Sequence, residues 1–153
     1  MKTKWCEVPQ ICLMLGVVLM STYGLAQVSQ STWENQVRIQ LDAFTLTFGN
    51  YKLVPSHDPI VYSLDRNTYV DIRYQLDRGE SYIFVGVCDT DCREINMVLY
   101  DEDGRVIDSS TRRHDVTPAV GARAYEDTMV RVQITMAECR HNPCWVGVGA
   151  YTR

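Results

Sequence analysis

The chain has 153 residues, a formal net charge of −4 and 46% hydrophobic residues. That length suffices for one ordinary domain with a real core. The acid excess speaks against a nucleic-acid partner, which calls for a basic stripe.

In chain order, the first 26 residues read as a secretory signal peptide. Lys2 and Lys4 form a positive start, "ICLMLGVVLM" is an apolar run, and Gly24 and Ala26 supply the small residues of a cleavage site before Gln27. The run is about ten residues, short of the roughly 20 that cross a bilayer, and no later run approaches that length. Cleavage takes 26 residues from 153 and leaves 127; two Lys and one Glu depart, so the net charge moves from −4 to −5. The expected location is periplasmic or secreted, with no transmembrane span once the leader is removed. The leader also takes Cys6 and Cys12, leaving Cys88, Cys92, Cys139 and Cys144 for an oxidising compartment, where disulfides are the default.

Residues 27–59 are expected to hold one helix and a connection, and 60–153 a β-sandwich. Trp33, Val37, Leu41, Phe44 and Phe48 recur at helical spacing, which predicts an amphipathic helix over 32–48. Ser31 and Glu34 have the spacing of a capping box, and Gly49 offers a left-handed stop. A strand reading competes, because Val37, Ile39, Leu41 and Ala43 also alternate. From Ile60 onward the period is two. Val70, Ile72, Tyr74 and Leu76 alternate with polar residues as in a half-buried strand, whereas "SYIFVGVC" is apolar on both faces and reads as a central one. "INMVLY", the turn "DEDG", "RVIDSS", "TPAVGARA", "TMVRVQITM" and "CWVGVGAYT" follow at regular spacing. The predicted fold is therefore mainly β, an antiparallel, jelly-roll-like sandwich with one N-terminal helix.

Four stretches, "LDRGESYIFVGV", "INMVLYDEDGRVI", "DTMVRVQIT" and "WVGVGAY", make the segment from Thr68 to Arg153 resemble the bacterial pre-peptidase C-terminal domain family. The resemblance implies a small β-sandwich of the kind appended to secreted proteases and other exported enzymes, with calcium-dependent substrate-binding modules among its relatives. The amphipathic helix and the two cysteine pairs depart from that pattern. The resemblance covers about two thirds of the mature chain.

Counting strand direction brings all four cysteines to one end of the sandwich. Zinc held by these thiolates and His141 is one reading, but exported thiols oxidise and the spacings are looser than in zinc knuckles. Disulfides are the preferred reading. Of three connectivities, the local pairs Cys88 with Cys92 and Cys139 with Cys144 each bracket a short polar loop, and the crossed pairing stays open. Asp89, Asp91, His141 and Trp145 are expected as neighbours on this end, a candidate binding surface, although a Trp at a strand start also suits a core. Asp101 and Asp103 lie at the opposite turn and are weak calcium candidates beside the simpler reading of "DEDG" as a hairpin turn. No cofactor is otherwise implied. His57, His114 and His141 sit in loop-like segments outside any recognised catalytic frame, and adjacent His114 and Asp115 point apart on an extended chain. The sequence thus predicts a non-catalytic module binding a protein, glycan or surface in the envelope or outside the cell. The alternatives are a structural, envelope-maintenance protein and, more remotely, a secreted hydrolase.

Overall fold

A computed structural model describes residues 32–153; the predicted signal peptide, its cleavage point and the Ser31 cap lie outside the described residues. Helix α1 covers 32–49. Val37 and Leu41 are fully buried whereas Ile39 is 67% exposed, which is the outcome of helical rather than alternating geometry. Gly49 is not the left-handed stop. Lys52 takes that role at φ 62°: its N–H donates to the Gly49 carbonyl and Leu53 N–H reaches back to the Phe48 carbonyl, closing a Schellman motif with a lysine where glycine is usual.

Eight strands follow: β1 (Val54–Leu64), β2 (Tyr69–Leu76), β3 (Ser81–Cys88), β4 (Cys92–Tyr100), β5 (Val106–Ser110), β6 (Ala119–Arg123), β7 (Thr128–Cys139) and β8 (Cys144–Thr152). They form two four-stranded antiparallel sheets, ordered β1-β8-β3-β6 and β2-β7-β4-β5, a jelly-roll arrangement. Only β4 and β5 are both consecutive and paired, so the "DEDG" turn is the one hairpin among these strands. β1 begins at Val54 rather than at the expected boundary of 60. Pro55 and Pro59 disguise it in the sequence, and both fall at register shifts on the edge of the sheet, where a strand tolerates a missing N–H.

The two sheets enclose a core in which Phe84, Val146 and Val148 of one face Ile95, Met97, Leu99, Val132, Ile134 and Met136 of the other. A smaller cluster lies outside the first sheet, where Val37, Leu41 and Phe44 of α1 cover Val87, Val61 and Trp145. This explains why β3 is apolar on both faces: one packs into the sandwich and the other lies under α1. Contact is close because β8 carries Gly147. A Cβ there would stand 2.5 Å from Val37 Cγ1 and 2.8 Å from Leu41 Cδ1. Tyr151, further along β8, donates its hydroxyl to the Leu41 carbonyl at 3.2 Å and sets its ring edge-on to Phe48.

One core group is poorly served. The Tyr74 hydroxyl is buried and, among the described residues, has no hydrogen-bond partner, and burial, followed by the neighbouring Tyr62, holds it well above the ordinary phenol range. Deleting an orphaned hydroxyl removes a desolvation cost without breaking a bond. Tyr74→Phe is expected to unfold in urea at an equal or higher midpoint, with a gain of up to about 1 kcal/mol; a loss of that size would reveal a partner for the hydroxyl.

Candidate functional site at the disulfide-pinned end

Cys88 ends β3 in one sheet and Cys92 begins β4 in the other; Cys139 ends β7 and Cys144 begins β8 with the sheets reversed. The local pairs Cys88–Cys92 and Cys139–Cys144 are closed, so each disulfide staples a strand-to-strand crossover between the two layers. Cys92 and Cys139 are also cross-strand partners, which sets the two staples side by side at one end. The crossed pairing is not formed, and oxidised sulfurs rule out a thiolate zinc centre there. Two disulfides point to an oxidising, extracytoplasmic compartment.

Asp89 lies between the staples and is only 4% exposed, so it is a support beneath this end rather than part of its surface. Its Oδ1 accepts the N–H groups of Asp91 and Cys92, each at 3.1 Å, and its Oδ2 accepts that of Trp145 at 2.7 Å. Burial raises its carboxyl pKa, the three N–H donors pull against that rise, and the neighbouring charge of Asp91 adds to it. Trp145 is half-buried against the α1 cluster, because the strand turns its ring towards Val37 and Leu41 rather than outward. It supplies packing and not an exposed anchor.

Asp91 and His141 remain together on the surface, with His141 Nδ1 3.2 Å from Asp91 Oδ1. Around them the two crossover loops are tied down from several sides. Arg140 N–H donates to the Asp91 carbonyl, Arg66 N–H to Asn142 Oδ1, and Thr90 N–H to Gln36 Oε1 of α1. Gln40 of α1 donates to the Cys88 carbonyl at 2.9 Å. The result is a polar surface of Arg66, Asp91, Arg140, His141 and Asn142 on a fixed backbone.

At the opposite end, Asp101 Oδ1 accepts the Arg105 N–H at 2.7 Å, and the Arg105 guanidinium lies 2.9 Å from Asp103. Gly104 has φ 81°, as this turn requires. Asp101 and Asp103 are thus occupied with the turn and its own cation. His57 lies in β1 with Nδ1 3.0 Å from Ser56 Oγ, beside an open cavity of about 570 Å³ also lined by Asp42, Asp58 and Tyr151. Among the described residues no histidine links a hydroxyl to a carboxylate, the relay of a serine-type hydrolase.

One grouping escaped the sequence reading. Glu94, His114 and Glu138 bring their donor atoms within 4.8 Å of one another. Glu94 and Glu138 face each other across β4 and β7, and the His114 N–H donates to Glu94 Oε2 at 2.9 Å. The signal is a register between strands distant in sequence, together with a loop folding back onto β4 through the Ile95 N–H bond to the Asp115 carbonyl. Spacing along the chain carries neither.

No protein-family model matches the chain, and no curated protein does. Among solved structures, a chain from the disulfide-linked pili of Bacillus endospore appendages is similar at 12% identity and a TM-score of 0.43, over 65% of this chain and 86% of that one.

Proposed function

We propose that the chain is an exported, non-catalytic sandwich module that binds a protein or glycan partner in the envelope or outside the cell, using its disulfide-pinned end. The observation that carries this reading is the anchoring of exposed loops by two inter-sheet disulfides and the buried Asp89 carboxylate. A bridge closing so short a loop contributes only about 2 kcal/mol in the chain-entropy model. Two of them side by side therefore serve loop shape as much as global stability, and a fixed polar loop loses little entropy on binding. The leader-like first 26 residues support export, and the likeness to pre-peptidase C-terminal domains supports an accessory binding role.

The test uses the oxidised chain as bait for an envelope extract and a glycan panel. Replacing Arg140 and His141 together with Ala is expected to weaken capture by about tenfold or more, as removal of central contacts does, and reduction of the disulfides should do the same. Replacing the exposed helix residues Ile39 and Leu46, 67% and 77% accessible, should leave capture unchanged. The reverse pattern would overturn this reading in favour of a structural protein whose helix docks a neighbour.

A further inference from the structure

The geometry points to a divalent transition-metal site, with zinc as the ion it fits best, formed by Glu94, Glu138 and His114. Two carboxylates directly opposite each other on paired strands repel and weaken the pairing. Here the pair is Glu94 and Glu138, both half-buried, and among the described residues neither forms an ion pair with Lys or Arg. The group that approaches them is instead an imidazole, the side chain most used for binding first-row metals. His114 reaches this place on a left-handed backbone, φ 59°, while its N–H holds one oxygen of Glu94.

The donor set discriminates among cations. One nitrogen and two carboxylates suit zinc with an open fourth position, whereas calcium and magnesium prefer all-oxygen shells. A zinc tetrahedron with bonds of about 2.0–2.1 Å has edges of about 3.4 Å. Donor atoms within 4.8 Å of one another would have to draw in by up to about 1.4 Å to close on such an ion. With all four described cysteines held in disulfides, thiolates do not compete for it. The open position would take water or a donor from another molecule. This inference does not depend on the binding role proposed for the crossover loops.

Isothermal titration of the tag-free, oxidised chain with zinc chloride tests it. One ion per chain is expected, with a matching rise in thermal midpoint and no response to calcium. Loss of a ligand should cost at least what loss of an outer-sphere partner does, about 10–100-fold in affinity, so His114→Ala and Glu138→Gln should each weaken binding by that factor. His141→Ala should leave it unchanged. Glu138→Gln should also raise the thermal midpoint of the metal-free protein by relieving the repulsion, which separates loss of a ligand from misfolding. Absence of zinc binding, or binding that survives His114→Ala and Glu138→Gln, would overturn the assignment.

Discussion

Gly147→Val is expected to dislodge α1 and lower stability by about 3 kcal/mol, combining the strain of overpacking with lost burial on the helix. The added Cβ would lie 2.5 Å from Val37 and 2.8 Å from Leu41, and its γ-methyls would press further into the same contact. These neighbours are themselves held, because Tyr151 bonds the Leu41 carbonyl and Gln40 bonds the Cys88 carbonyl, so the helix has little room to slide. Urea unfolding would measure the loss, and Trp145, which packs under the helix, would report the displacement through its fluorescence. A double-mutant cycle sharpens the result. Val37→Ala should cost much less in the Gly147→Val background than in the parent, because both substitutions act on one contact. Additive effects, or a Gly147→Val protein as stable as its parent, would mean that α1 does not depend on this strand.

Asp89→Ala is expected to cost about 2–4 kcal/mol at neutral pH. It strips the acceptor from three backbone donors at a buried turn, and hydrogen bonds to a charged group are worth about 1.5–3 kcal/mol each before relaxation. Cys92 N–H keeps a second acceptor in the Asp89 carbonyl, 3.2 Å away, whereas the substitution removes the shortest of the three bonds, that from Trp145 N–H at 2.7 Å. Asp89→Asn should be intermediate: one oxygen remains for two donors, but the amide NH2 then faces a third. The pH dependence has a definite sign. Burial outweighs the donors and raises the folded-state pKa, so between the ordinary carboxylate value near 4 and the raised one the native chain binds more protons than the unfolded chain. This group's contribution is fully present below the ordinary value and is lost as pH rises through the raised one. The gap between parent and Asp89→Ala should accordingly be larger at pH 4 than at pH 7. Denaturation at both values checks this, and a gap that widens towards neutrality would show that the N–H donors outweigh burial.

Much of the fold was legible from local pattern. A period of two along β2 and β7, two apolar faces on β3, turn residues at "DEDG" and the heptad-like stripe from Trp33 to Phe48 each express a preference that neighbouring residues alone satisfy. Cysteine clustering followed from alternating strand direction, since antiparallel chains return to the same end. β1 was half hidden, because its two prolines mark an edge strand only once the edge is known.

Sequence by itself determined the sandwich, the helix, the even set of cysteines and the end where they meet, because those depend on periodicity, turn chemistry and the parity of strand reversals. Tertiary structure alone decided what each side chain does there. Asp89 became a buried support because three N–H groups from two crossovers converge on it, and Trp145 became packing because α1 lies over β8. Glu94, His114 and Glu138 came together through the bulged register of β4 and β7 and the return of a loop. Apart from the two local bonds from Asp91 and Cys92 to Asp89, these contacts join residues 20 and more positions apart, and their geometry is set by how the two sheets and the helix settle against one another.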